Sequence, residues 1–203
     1  VLRTFDPDVV ALELDRQRWA SLRSSLRPRR GPLLLRLLSS LQERLGEMLG
    51  APPGSDMLAA GRTAQRLGAR LALIDLPIGQ TLRRAWRALG WRERLALAQD
   101  LAPLLAGADL LTSGSATADN PIATGDFSRE LAEFAYRFPS LQRELIDRRD
   151  RHMARQLVVL LRNCQRVAAV VGEGHLAGLA RRLARVSPQV VPLRRLLELG
   201  RQM

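Results

Sequence analysis

Hydrophobic positions along the chain form short unbroken runs, separated by stretches with helical spacing. Three runs rich in Val, Leu, Ile and Ala predict strands at 9–14, 71–74 and 167–171. Continuous apolar runs, unlike alternating ones, are typical of strands buried on both faces, which occur mainly in parallel sheets. Residues 189–192 form a further candidate strand.

Apolar residues at intervals of three and four predict helices between these strands. The predicted helices cover 15–26, 34–48, 81–89, 91–105, 127–138, 141–163 and 176–185, with another beginning at Ser55. The stretch 107–125 has no steady period and is predicted to be a loop. Strands separated by helices indicate an α/β fold, an open, mostly parallel sheet flanked by helices. We expect one domain over 1–203, with a mostly helical insertion between strands at 79–163.

Composition and charge narrow the class of protein. The 203 residues, 46% hydrophobic and 26% charged, suit a folded domain with a sizeable core. The net charge is +12, and all 32 basic residues are arginine. Two explanations account for a basic set made only of arginine: guanidinium groups recognise phosphates or carboxylates, or a GC-rich genome favours arginine codons. The arginines are spread evenly along the chain, which favours the second explanation. Eight aromatic residues leave little for base stacking, so the sequence disfavours nucleic acid as a partner.

Several functional classes are excluded or disfavoured by missing residues. A single cysteine, Cys164, excludes an internal disulfide and a cysteine-rich zinc site, and it fits a cytoplasmic location. Without lysine there is no phosphate-binding Gly-x-x-x-x-Gly-Lys-Ser/Thr loop, and no Gly-x-Ser-x-Gly elbow is present. No apolar run approaches the roughly 18 residues of a membrane-spanning helix, so we expect no membrane span in this chain.

Candidate chemistry lies where the three predicted strands end. Ligand sites of open parallel sheets lie at the carboxyl ends of the strands, and these ends carry Glu13, Asp75 and the turn that leads to His175. Gly172 and Gly174 allow a sharp turn with positive φ and place His175 at a helix N-terminus. Histidine with one or two carboxylates is a usual ligand set for a divalent metal, which acidifies a bound water.

The same residues have structural interpretations that the sequence leaves open. Glu13 could cap the following helix or pair with Arg16, and Asp75 could make local hydrogen bonds in a turn. Gly172 and Gly174 could serve only the strand-to-helix turn.

Asp150 lies on an apolar stripe of the predicted helix 141–163. Because an unpaired buried charge is costly, we expect this carboxylate to pair with an arginine such as Arg84 or Arg149. Such a pair would form an ion-pair network behind the site.

Five segments together resemble the TraB family, which includes the pheromone-shutdown protein PrgY and is similar to TIKI, ChaN-like and erythromycin-esterase-like proteins. They occur in the family's order and cover nearly the whole chain: 7–15 with Arg18, 54–69 with 74–78, 81–86, 149–154 and 170–178. The resemblance implies an α/β fold with a pocket between the strand end at Glu13 and the turn 172–175. In TIKI-like relatives such groups are associated with metal-dependent proteolysis.

The resemblance therefore implies a metal-dependent hydrolase pocket, with a peptidase as one form of it. Glu13 would be a ligand or general base, His175 a ligand, and Asp75 would complete the shell of a manganese, cobalt or zinc ion. The alternative is a non-catalytic regulatory or peptide-sequestering domain of the pheromone-shutdown type. In either case the partner is a peptide or small molecule, and an oligomer is compatible with both.

Two departures from the family pattern favour the alternative. The family's first strand and Gly-Thr-x-His segment, expected before the Glu13 strand, are not in this chain. Arg148 stands where the family generally has glutamate, which reverses a charge close to the expected site.

Overall fold

The computed structural model describes residues 1–24, 54–105, 132 and 135–201. The predicted helix 34–48 and loop 107–125 lie outside the described residues, as does most of the predicted helix 127–138. The chain divides into two compact units, one made of 1–77 with 150–203 and the other of 78–149.

The first unit is built on a three-stranded parallel sheet. Its strands are β1 (Val9–Leu12), β2 (Arg70–Leu73) and β3 (Val167–Val170), in the order β2-β1-β3. The predicted α/β class with an open parallel sheet is therefore confirmed. Residues 189–192 form no strand, and the prediction there was wrong. Pro188 and Pro192 supply no N–H to a ladder, which makes the segment a poor strand.

The helices account for most of the remaining described residues. Around the sheet of the first unit lie α1 (Leu2–Phe5), α2 (Arg16–Ser24) and α3 (Ser55–Arg66). The 78–149 unit contains α4 (Ile78–Ala88), α5 (Trp91–Leu105), α6 (Pro139–Gln142) and a π-helical turn at Arg143–Asp147. Next come α7 (Arg148–Leu161), α8 (Glu173–Arg182), a 3₁₀ turn at Ala184–Val186 and α9 (Leu193–Arg201).

Strand β1 is the centre of the first unit's core, and all four of its residues are fully buried. Successive side chains of a strand point to opposite faces, so β1 joins two apolar clusters. On one face Ala11 packs with residues of α7 and α8, among them Met153 and Leu179. On the other face Val10 and Leu12 pack with α3. Coverage on both faces explains why the run 9–12 is continuously apolar.

The 78–149 unit has its own apolar cluster. Ala85 and Leu89, at the C-terminal half of α4 and just beyond it, pack with Phe138 and Leu141. The opposite face of α4 is exposed and rich in arginine.

Within the part of the chain that the structure describes, no helix has the length and apolar character needed to cross a bilayer.

One carboxylate in the 78–149 unit joins two helix N-termini. Glu93 Oε2 accepts a hydrogen bond from the Gly90 N–H at 2.9 Å, and Oε1 accepts one from the Ser140 N–H at 2.8 Å. Burial alone would raise the pKa of the Glu93 carboxyl. Hydrogen bonds from Gly90 and Ser140, together with the charge of Arg143, outweigh burial and hold that pKa below its usual value.

Glu93→Gln is expected to destabilise the 78–149 unit by about 1 kcal/mol, as for the loss of a helix cap. The glutamine amide keeps one oxygen to accept from one of the two backbone N–H groups, Gly90 or Ser140, but presents its NH₂ group to the other. Since the pKa is lowered on folding, the wild-type stabilisation is present above the pKa of the unfolded chain and is lost as the pH falls through the folded value. The acid sensitivity in this range should be smaller in the variant. Fluorescence of Trp86 and Trp91 in a Trp19→Phe background measures this, and identical acid profiles would contradict it.

Candidate functional site

The carboxyl edge of the sheet brings three predicted site segments onto adjacent strands. Because β1 is central, Glu13 follows the strand that both neighbours pair with. The Glu13 N–H donates to the Val170 carbonyl at 3.1 Å, and the Ile74 N–H donates to the Leu12 carbonyl at 3.1 Å. The ends of all three strands are therefore tied together at this edge.

Glu13 and His175 contact one another directly. Glu13 Oε1 lies 3.2 Å from His175 Nε2, and Glu13 Oε2 accepts the Gly172 N–H at 2.7 Å. The side chains are only 11% and 5% exposed, so water screens this contact weakly. The turn after β3 therefore fixes one oxygen of the Glu13 carboxylate, and the other oxygen faces the imidazole of His175.

A second carboxylate lies behind the imidazole. Asp150 on α7 is fully buried, and its Oδ1 is 2.6 Å from His175 Nδ1. Its Oδ2 accepts a hydrogen bond from Arg182 Nη1 at 3.3 Å, and the same nitrogen donates to the Gly178 carbonyl at 2.9 Å. The result is a continuous line from Glu13 through His175 and Asp150 to Arg182.

This line restricts what can lie between Glu13 and His175. A short contact between Nδ1 and a carboxylate oxygen requires a proton on Nδ1. If Nε2 then carried a lone pair, it would face a carboxylate oxygen at 3.2 Å, and the two would repel. A positive species, either a proton or a metal ion, is therefore favoured between Glu13 Oε1 and Nε2.

The absence of a side chain at Gly178 leaves room for the Asp150 carboxylate. A Cβ at Gly178 would overlap Asp150 Oδ2, and it would lie 2.8 Å from Asp150 Cγ. The absent side chain lets α8 approach the carboxylate closely enough for His175 and Arg182, one turn to either side, to reach it.

Gly172 does not have the positive φ that the sequence predicted for this turn. Its φ is −65°, and the glycines with positive φ in the described chain are Gly54 and Gly68. A Cβ at Gly172 would lie 3.3 Å from Glu13 Oε2, so glycine here leaves room for that carboxylate. Gly174 lies inside the first turn of α8, which begins at Glu173.

Asp75 is bound by an arginine at the same edge of the sheet. Arg18 Nη2 donates to Asp75 Oδ2, while Arg18 Nε donates to Asp15 Oδ2 at 2.8 Å. Asp75 Oδ1 also accepts the N–H of Leu76 at 2.7 Å, the local hydrogen bond that the turn interpretation anticipated. Asp15 caps α2 by accepting the N–H groups of Gln17 and Arg18.

The remaining predicted residues lie elsewhere. Arg84 lines a pocket in the 78–149 unit, and Arg149 donates to the Leu145 carbonyl at 3.2 Å. Arg148, the reversed charge, forms an ion pair with Glu144 at 3.6 Å. In the residues that the structure describes, no group of three or more His, Cys, Asp or Glu side chains is arranged to hold a metal.

Sequence reasoning missed Arg182, Gly178 and Asp15. Arg182 follows His175 by seven residues, which puts both on one face of a helix, so helical periodicity could have found it. Asp15 precedes a helix and is followed by N–H groups two and three positions on, a usual capping pattern. The clash that excludes a side chain at Gly178 has no signal in the sequence.

Comparison with known proteins identifies the family. The family model of the TraB/PrgY/gumN family matches residues 3–187. The chain belongs to this family, and the resemblance found in the sequence is confirmed. The chain is also 30% identical to uncharacterized protein MJ1365 of Methanocaldococcus jannaschii, over 92% of its own length and 49% of that protein. It thus spans about half the length of this curated relative.

Proposed function

We propose that this TraB-family chain is a hydrolase whose reacting centre is the pair Glu13 and His175, with a peptide as the substrate class. The observation that carries the proposal is the 3.2 Å contact between Glu13 Oε1 and His175 Nε2, backed by Asp150 on the other ring nitrogen. A carboxylate and an oriented imidazole at the carboxyl edge of a parallel sheet are suited to general acid–base work.

A divalent ion fits part of this arrangement. Two ligands of one tetrahedral zinc ion lie roughly 3.4 Å apart, close to the separation of Glu13 Oε1 and His175 Nε2. A carboxylate on the other nitrogen of a metal-binding histidine, as Asp150 is here, is the usual supporting partner. Glu13 and His175 would hold a manganese, cobalt or zinc ion, which when bound would polarise a carbonyl and acidify water. Asp75, the third ligand that the sequence suggested, is paired with Arg18 and does not form a group of three with Glu13 and His175 in the described residues.

The chain's own residues have defined tasks under this proposal. Asp150 keeps the proton on Nδ1 and fixes the plane of the ring, and Arg182 balances its charge. Gly172 holds one Glu13 oxygen through its backbone N–H, which leaves the other oxygen to take or give a proton. The low exposure of both side chains limits competition from bulk water.

A regulatory or peptide-sequestering domain without turnover is the second candidate. It is favoured by the lack, within the described segments, of a third metal-binding side chain beside Glu13 and His175. A doubly protonated His175 would satisfy both carboxylates and make the cluster a structural ion network. The cytoplasmic location inferred from the single cysteine stays a prediction in both cases.

The first test is calorimetric titration with manganese, cobalt and zinc. We expect binding to the wild type, a loss of at least tenfold in affinity for His175→Ala, and no change for His152→Ala, which removes the chain's other histidine. Titration in buffers of different ionisation enthalpy should reveal release of a proton, because the metal replaces the one between Nε2 and Glu13. Equal binding by both histidine variants would exclude His175 as a ligand.

Turnover separates the two candidates. Cleavage of a peptide library that stops with chelator and with Glu13→Gln is expected for the hydrolase. Peptide binding that survives chelator, with no cleavage at any metal concentration, would establish the sequestering domain instead.

A further inference from the structure

Three arginines of α4 lie together on one exposed face. Arg83, Arg84 and Arg87 are spaced by three and four residues, and Gln80 is on the same face. None of the three arginines makes a hydrogen bond or ion pair with another described residue. Helix α4 contains no acidic residue, and the nearby Glu93 is occupied by Gly90 and Ser140. Like charges at such spacing repel one another, and an anion against this face would relieve that repulsion.

These arginines line an open depression of about 640 Å³ within the 78–149 unit. Its wall is completed by Glu144 from the π-helical turn, a kind of turn that is frequent at functional sites. Glu144 Oε2 is buried and accepts no hydrogen bond within the described chain, since its ion pair with Arg148 is 3.6 Å long.

We propose that this pocket binds a phosphate group, either free or as a phosphomonoester. Glu144 is already paired with Arg148, so Arg83, Arg84 and Arg87 leave this face with a net positive charge, which favours a phosphomonoester that carries up to two negative charges near neutral pH. The planar donor fork of arginine fits phosphate oxygens in pairs, and several forks can share one tetrahedral group. Glu144 would accept a hydrogen bond from a hydroxyl on the organic part of an ester.

The site is separate from the proposed hydrolase centre. Its residues all belong to the 78–149 unit, whereas Glu13 and His175 belong to the other unit. Binding to the pocket therefore needs neither the metal nor His175, and measurements made with chelator and on His175→Ala keep the two proposals apart.

The test uses the whole chain in chelator at constant ionic strength, with inorganic phosphate and glycerol 1-phosphate as probes and chloride as the reference anion. We expect phosphate to bind and chloride not to compete. Arg87→Gln and Arg83→Gln should each weaken binding about tenfold or more, as for the loss of a charged hydrogen bond. Arg62→Gln, which removes an exposed arginine of α3 in the other unit, is the matched control and should change nothing.

Glu144→Gln supplies an effect of opposite sign. Removing this carboxylate should tighten binding of inorganic phosphate several-fold, because a repulsion is lost. The gain should be smaller for glycerol 1-phosphate, whose hydroxyls lose a charged acceptor. A preference for inorganic phosphate over the ester in the wild type would assign the site to free phosphate. Equal weakening by Arg62→Gln and Arg87→Gln, or phosphate binding no tighter than chloride, would overturn the proposal.

Discussion

Replacing Asp150 with alanine is expected to lower the free energy of unfolding by about 3 to 5 kcal/mol. Asp150 is fully buried and accepts from both His175 Nδ1 and Arg182 Nη1. The truncation leaves the buried Nδ1 of His175 without its acceptor, and it removes the carboxylate that balances the charge of Arg182, whose side chain is 22% exposed. Chemical denaturation followed by circular dichroism, with Trp19 fluorescence to report on the first unit, measures the loss.

Two further variants show whether the loss comes from the ion network. Asp56→Ala removes an exposed carboxylate in the first turn of α3 and should cost about 1 kcal/mol or less. Asp150→Asn keeps the shape of the side chain but presents an NH₂ group to either His175 or Arg182. Its loss of unfolding free energy should therefore fall between those of Asp150→Ala and Asp56→Ala. A loss for Asp150→Ala no larger than that for Asp56→Ala would show that the network does not stabilise the fold.

Gly178→Ala is expected to cost about 1 to 3 kcal/mol, although alanine is the better helix former. The added methyl would overlap Asp150 Oδ2, and this carboxylate cannot move freely because His175 and Arg182 hold it on both oxygens. The variant should also lose the His175–Asp150 hydrogen bond, which removes the downfield resonance of the Nδ1 proton in NMR spectra.

The same substitution at Gly79 should have the opposite sign. Gly79 is helical in α4, and a Cβ there would meet no atom within 4 Å. Gly79→Ala should therefore stabilise the 78–149 unit by up to about 1 kcal/mol. Fluorescence of Trp86 and Trp91 follows this unit, and Trp19 follows the unit that contains Gly178. A stabilising Gly178→Ala would mean that Asp150 has room to move away.

The strands could be predicted from the sequence because burial on both faces leaves a local signal. The runs 9–14, 71–74 and 167–171 are apolar except for Glu13, and the observed strands start within one residue of these runs. The candidate at 189–192 also contains valines, but Pro188 before it and Pro192 at its end supply no N–H to a ladder. A local pattern therefore found the strands, whereas the strand order needed the three-dimensional structure.

The site was partly predictable for the same reason. Strand ends in a parallel sheet lie at one edge, which is enough to place Glu13 near the turn before His175. Asp150 and Arg182 lie on two different helices, α7 and α8. Their separation along the chain therefore follows no helical spacing that the sequence could reveal. The same holds for Arg18, whose contact with Asp75 depends on how α2 leaves the sheet.

The contact between Glu13 and the turn after β3 joins residues 159 positions apart in the chain. During synthesis from the N-terminus, β1 and β2 emerge long before β3 and α8. Until then Glu13 lacks both the backbone donor and the imidazole that it contacts in the folded chain. The contacts of Glu13 with Gly172 and His175 therefore form only when the last strand of the sheet and α8 are in place, so this arrangement is coupled to completion of the fold rather than to the early strands.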